Sequence, residues 1–270
     1  MRRRGSRLKI SGGGGYILDT YPAAVAWSLR KLSGSYTDAP IGVRRSSDDL
    51  EQDIGFDSNG ELDTAALLSF VGSGDGFVST IYDQAGAGLN FTQTNPVRQG
   101  RIVNSGVVNT LNGKPVILRS VDNSGGYISN YQSNDSSNPY EVIIKGLFYV
   151  GNNNDPGVIF GSGTGNEYGY VAQSGSTVDS SQNIIFYSEK LNGVTWTYSN
   201  RGDVYTATIN QFLLYAEVDT YFSQPDFSLG YRYTSPSGFG MFSFQEMIIF
   251  DNTTDHLDKE TKINSYYSIY

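Results

Sequence analysis

The side chains able to do chemistry fall into a few short clusters. Asp83-Gln84, within Ile81-Tyr82-Asp83-Gln84-Ala85-Gly86, sets a carboxylate beside a primary amide, a pair that suits the hydroxyls of a sugar. The same pair suits a structural corner in which Asp83 accepts from loop amides after a buried strand while Gly86 and Gly88 turn the chain. That second reading is the favoured one. Thr195-Trp196-Thr197-Tyr198 alternates aromatic rings with threonine. On a concave sheet, Trp196, Tyr198 and Tyr231 would form a stacking platform for a glycan, the competing reading being half-buried core. Arg44, Arg45 and Asp48 place guanidinium and carboxylate within one turn and read as a structural ion pair. Asp48, Asp49, Glu51 and Asp53 are dense enough for a calcium loop. A solvated acidic loop is the preferred account, so no metal or cofactor is assigned and calcium stays open.

Composition closes several reaction classes. None of the 270 residues is cysteine, which excludes disulfides, thiolate zinc sites and cysteine nucleophiles. The single histidine, His256, lies in a polar stretch, a poor setting for the base of a Ser-His-Asp triad. Arg201-Gly202-Asp203 is expected to form a hairpin turn rather than an integrin-type ligand. Asn90, Asn134 and Asn252 head glycosylation sequons, but Ile10 is followed by Ser11 and four glycines, so no signal-peptide core is expected.

Charge is unevenly spread. Of 19 basic residues, Arg2, Arg3, Arg4, Arg7 and Lys9 stand in the first eleven positions, leaving 14 against 27 acidic residues and a net −13 on the remainder. Such an acidic body disfavours nucleic acid as a specific ligand. No apolar run reaches the ~18 residues of a membrane span. Residues 1–15 read as a basic, glycine-rich arm that tethers the chain to a larger assembly, and residues 16–270 as a single domain.

The elements that must hold these groups are mostly strands. With 20 tyrosines, 14 phenylalanines, 32 glycines and only 17% charged residues, the composition favours pleated surfaces joined by tight turns. Helices are expected over Ala23–Leu32, Asp63–Val71 and Asp255–Tyr270. Strands are expected over 77–82, 116–118, 140–150, 158–160, 184–187, 194–198, 204–209, 212–218, 227–233 and 241–250, with turns at Asn112-Gly113 and Asn192-Gly193 among others. The predicted fold class is all-β, an antiparallel β-sandwich (jelly roll) with two or three short peripheral helices.

Arg44-Arg45-Ser46-Ser47-Asp48, the stretch Gly60–Leu68, Ile81–Gly86 and the closing Phe244–Phe250 resemble, in that order, the catalytic domain of the alpha-L-arabinofuranosidase B family. They are also similar to concanavalin A-like (laminin G-like) domains of phage tail and other virion proteins. The enzyme resemblance implies a retaining mechanism with two carboxylates. Its nucleophile is a glutamate followed by Asn-Gly, matched most nearly by Glu189, with Lys190 and Leu191 intervening before Asn192-Gly193. Its acid/base aspartate falls at Leu229-Gly230-Tyr231-Arg232-Tyr233, where no carboxylate stands, and its vicinal cysteine pair is missing. The sequence reading therefore expects a non-enzymatic bacteriophage virion protein of a tail, fibre or capsid surface. It would be present in several copies, docked on other virion proteins through the arm, and able to take host-surface glycans. The alternatives are an arabinofuranosidase-type glycoside hydrolase and a free carbohydrate-binding lectin.

Overall fold

The computed structural model describes residues 15–118, 127–130, 140–148, 157–162, 168–172, 175–178, 186–208, 210–218, 227–229, 242–252 and 254–270. In chain order the strands begin with β1 (Val25–Ser28), β2 (Ile41–Arg45), β3 (Glu51–Ile54), β4 (Gly76–Ile81), β5 (Phe91–Thr92) and β6 (Gly100–Asn104). There follow β7 (Val107–Val108), β8 (Thr110–Leu111), β9 (Lys114–Pro115), β10 (Tyr127–Ser129), β11 (Tyr140–Phe148) and β12 (Gly157–Ser162). The last six are β13 (Tyr168–Ala172), β14 (Phe186–Leu191), β15 (Val194–Thr195), β16 (Gln211–Val218), β17 (Phe227–Leu229) and β18 (Phe242–Phe250). Helices are α1 (Ile17–Thr20), α2 (Thr64–Val71), α3 (Arg201–Thr208) and α4 (His256–Tyr267).

Two large antiparallel sheets and the two-stranded β8–β9 ribbon result among the described residues. One has six strands in the order β1-β18-β11-β16-β14-β15, and the larger runs β13-β12-β17-β10-β5-β4-β2-β3 with β6 and β7 continuing from β4. The side-chain period of two sorts the six-stranded sheet into two faces. Val25 and Trp27 of β1, Phe212, Leu214 and Ala216 of β16, and Met247 and Ile249 of β18 face the larger sheet. There they join Ile41, Val78, Ile81, Phe91, Phe160 and Phe227 in one core. The alternate residues Ala26, Leu213, Tyr215, Ile248 and Phe250 face outward and are covered by Ile17 of α1 and by Ile263 and Tyr267 of α4. A sheet buried on both faces needs continuous apolar runs, which is why Phe212–Ala216 and Met247–Phe250 show no polar alternation. The all-β sandwich with short peripheral helices is thus as expected, with four α-helices among the described residues.

Two predicted elements change type. Residues 25–28 form a strand where a helix was expected, paired Val25 to Ile249 through Ser28 to Glu246. Ala26, Leu29 and Leu32 mimic a helical stripe because both faces of β1 are buried, and a short apolar run does not fix its own period. Conversely, Val204–Thr208 lies in α3 rather than a strand. Asn200 Oδ1 accepts the Asp203 N–H at 3.0 Å and Asp203 Oδ2 accepts the Asn200 N–H at 3.2 Å, a reciprocal cap that starts a helix despite β-forming residues. Arg201-Gly202-Asp203 is accordingly the first turn of α3, not a hairpin turn. Asp63 caps α2 as expected, accepting from the Ala66 N–H at 2.9 Å.

Candidate functional site

The β14–β15 hairpin forms one edge of the six-stranded sheet. Its two-residue turn is Asn192-Gly193, at φ 53° and 78°, the paired positive values a type I′ turn requires. Asn192 exchanges two 2.9 Å hydrogen bonds with the Leu213 backbone, one through its side-chain oxygen. The Tyr270 ring lies against Gly193 so closely that a Cβ there would sit 2.6 Å from it. Glu189 is opposite Ala216, Lys190 opposite Tyr215 and Leu191 opposite Leu214. Since Ala216 and Leu214 belong to the inter-sheet core, Glu189 and Leu191 point to that side. Lys190 points outward, where its ammonium stands 3.5 Å from Glu260 of α4.

Two aromatic residues follow the hairpin. The Trp196 N–H donates to the Glu189 carbonyl at 3.0 Å, and the Trp196 and Tyr198 rings lie 4.8 Å apart at 41°. Both rings are half-buried and pack against the inter-sheet core. The structure therefore gathers a partly exposed carboxylate and two tilted rings at one sheet edge, an arrangement able to stack on a sugar and present an oxygen nucleophile to it. Tyr231 lies outside the described residues, as do Arg2, Arg3, Arg4, Arg7 and Lys9 of the arm.

Asp83 and Gln84 are elsewhere and fully occupied. The Asp83 carboxylate accepts from the backbone N–H groups of Ala26, Ala85 and Ala87 at 2.8–2.9 Å. Gln84 accepts from the Leu32 N–H and donates to the Ser28 and Arg30 carbonyls at 2.9–3.0 Å. Both residues are buried, and together they fasten the end of β4 in one sheet to β1 in the other. No side-chain polar group of either is left to face a ligand.

The remaining candidates resolve into local pairs. Arg45 grips Asp48 through two bonds of 2.7 and 2.6 Å, which hold the Asp48 carboxyl down to about 2. Arg44 reaches Gln99 at 2.7 Å and Asp49 at 2.5 Å. Glu51 accepts from Ser79 and Asp53 from Tyr82, so the four acidic residues of this stretch turn to different partners. Among the described residues, no group of three histidine or acidic side chains converges on one point.

One charged network had no counterpart in the sequence reading. Glu246 of β18, 1% exposed, accepts from Arg30 at 2.7 and 2.9 Å, from Ser28 at 2.8 Å and from Tyr267 at 3.1 Å. Arg30 also lies over the Tyr266 ring, 4.3 Å from its centroid. Tyr266 donates to Glu61, whose other oxygen accepts from Lys114 at 2.9 Å. The signal available was a glutamate beside Gln245 in the otherwise apolar stretch Phe244–Phe250, with Arg30 two residues after the end of β1.

Residues 16–166, more than half of the chain, match the model of the family described as alpha-L-arabinofuranosidase B, catalytic. Among solved structures, a GH54 α-L-arabinofuranosidase soaked with a cyclic sulfate inhibitor matches at 16% identity and a TM-score of 0.50. An arabinofuranosidase complexed with arabinofuranosyl-α-1,2-xylobiose matches at 16% identity and a TM-score of 0.48. Each covers 93% of this chain, which spans 63% of theirs. The first shows a shared fold. No curated protein matches the chain. These findings favour the arabinofuranosidase side of the resemblance and lend nothing to its phage side. They overturn the expectation of a non-enzymatic virion, tail-fibre or capsid-decoration protein, which gave the missing aspartate and cysteines more weight than the family match of residues 16–166. The chain belongs to the alpha-L-arabinofuranosidase B catalytic family.

Proposed function

We propose that this chain is a glycoside hydrolase acting on α-L-arabinofuranosides, with Glu189 as the carboxylate that meets the anomeric carbon. The observation that carries the reading is the family match over residues 16–166. Glu189 lies beyond that segment and is chosen as the nearest match to the family's nucleophile; its place supports the choice, on the inward side of the hairpin edge with Trp196 and Tyr198 following the hairpin.

The assignment departs from the family pattern in a defined way. The position directly before Asn192-Gly193 holds Leu191, and Glu189 stands two residues earlier on the same face, about 7 Å along the strand. A sugar reached by Glu189 would sit correspondingly deeper along β14. Retaining hydrolysis also needs an acid/base about 5–5.5 Å from the nucleophile. Residues 230–241, where the resemblance puts that group, contain neither Asp nor Glu. An activated aryl leaving group departs without protonation, so it separates the nucleophile's role from the acid's.

The test is release of 4-nitrophenol from 4-nitrophenyl α-L-arabinofuranoside. The expected result is turnover by the wild-type chain and a loss of about 10³-fold or more in Glu189→Gln. Absence of turnover in the wild type overturns the hydrolase reading, and full activity in Glu189→Gln overturns the assignment of the residue.

A further inference from the structure

A cavity of about 390 Å³ opens between α4, the start of α1, the segment after β1 and the turn that ends at Glu61. It lies on the helix-covered side of the six-stranded sheet, whereas Glu189 points to the inter-sheet side. Its size is in the range of small-ligand sites. Its principal walls are Tyr16, Arg30, Lys31, Glu61, Lys262 and Tyr266.

The shape is built, not incidental. Gly60 sits at φ 79°, and a Cβ on it would lie 2.9 Å from the Tyr16 hydroxyl and 3.2 Å from the Lys31 Cβ. The turn is tied to the opposite wall by the Lys31 N–H, which donates to the Gly60 carbonyl at 2.8 Å. Only glycine lets Tyr16 and Lys31 close over this turn.

Charge counting then narrows the chemistry of a ligand. Arg30 is held by Glu246 in a two-bond pair, and Glu61 is neutralised by Lys114 while also accepting from Tyr266. Among the described residues Lys262 has an ion pair with Asp258 alone, at 4.0 Å. Lys31 has no ion pair among the described residues, its ammonium lying 5.5 Å from the Tyr16 ring. Two lysines with weakly compensated ammonium groups therefore line the cavity, on a protein whose net charge is −8. Tyr16, Ser265 and Asn59 line it too, and the Ser265 hydroxyl, which donates to the Lys262 carbonyl at 2.8 Å, keeps its lone pairs for a sugar hydroxyl. The arginine fork that would favour a phosphate is already taken.

We propose that this cavity binds a single monosaccharide carboxylate, a uronic acid, with Lys31 and Lys262 meeting its carboxylate. The inference concerns binding alone and stands whether or not Glu189 is a nucleophile.

Isothermal titration of the full chain with glucuronate, glucose and inorganic phosphate tests it. The expected result is saturable glucuronate binding that is weakened about fivefold or more by Lys31→Gln, abolished in Lys31→Gln/Lys262→Gln, and reduced by added salt. Gly60→Ala, which moves the two walls, should weaken it as well. Both lysines are partly exposed, so their loss leaves the fold intact, which the unchanged unfolding midpoint would show. Undetectable glucuronate binding overturns the proposal. So does binding indifferent to both lysines, equal binding of glucose, or phosphate binding at least as tight as that of glucuronate.

Discussion

The two faces of the six-stranded sheet close by different physics. Its inner face meets the larger sheet through aromatic rings: Trp27 lies 4.1 Å from Phe91 and 6.3 Å from Phe227, and Phe227 lies 5.9 Å from Phe160. Its outer face packs Ile248 and Phe250 against Ile263 and Tyr267 of α4 and adds buried charge around that smaller apolar patch, with Glu246 and Arg30 at one point, Lys190 and Glu260 at another, and Lys259 capped by Asn252 at a third. Apolar contact is non-directional and tolerates sliding, while a carboxylate with four donors accepts one placement. The inner face buries the larger apolar cluster, and the outer face settles where α4 docks and hence the shape of the cavity beside it.

The largest expected effect is on the inner face. Trp27 is fully buried and its indole N–H donates to the Leu89 carbonyl at 2.9 Å. Trp27→Ala leaves a cavity and an unpaired carbonyl and should cost about 5 kcal/mol in urea unfolding. A loss under half of that would mean that the aromatic cluster is not the dominant contact.

The outer face should answer differently to single and double changes. Glu246→Ala strands a buried guanidinium and should cost about 3–4 kcal/mol. Arg30→Met/Glu246→Leu removes both charges together and should fall within about 1 kcal/mol of the wild type, because the desolvation of each ion offsets their attraction. If the double variant is as unstable as the single one, the ionic face bears stability in its own right and the contrast between the faces fails.

Asp83 sits where the two sheets are joined, which makes it the sharpest probe of the seam. Asp83→Ala deprives the Ala26, Ala85 and Ala87 N–H groups of their acceptor and should cost about 2 kcal/mol, with no change in sugar binding or turnover. A loss of ligand binding at unchanged stability would return Asp83 to the list of ligand contacts.

These elements also show which parts of the molecule were legible in the sequence. The turn at Asp83 could be read because two of its donors, Ala85 and Ala87, follow within four residues and Gly86 and Gly88 announce the turn, whereas its bond from Ala26 and those of Gln84 to Ser28, Arg30 and Leu32 span more than 50 positions. Arg45 and Asp48 could be read because they are three apart. The strands β16 and β18 stood out as apolar runs, but β1, an apolar run of the same kind, imitated a helix. The strands β2 and β3 went unread because the run of charged residues over 44–53 conceals Ile41, Val43 and Ile54. Arg30 and Glu246 are 216 positions apart, so neither the buried pair nor the cavity beside it follows from spacing. For the edge site, the sequence marked Trp196, Tyr198 and Glu189 separately, and only the register of β14 against β16 placed the carboxylate on the inward side.

The smallest expected effect lies outside both faces. Asp48 is exposed, and its hydrogen bonds to Arg45, followed by the one from the Leu50 N–H, lower its carboxyl from 3.8 to about 2. The folded state therefore holds this proton less tightly than the unfolded chain does, so the pair stabilises the fold above about pH 4. That contribution is lost as pH falls through about 2. Asp48→Asn should leave the buried contacts of both sheet faces untouched, lower the unfolding midpoint slightly at pH 7, and converge with the wild type near pH 2. A difference that persists undiminished at pH 2 would show that Asp48 acts through the shape of its turn, in which Asp49 holds φ 60°, and not through its charge. Because the pair is solvent-screened, the same difference should also shrink with added salt, a response that neither Trp27→Ala nor Asp83→Ala shares.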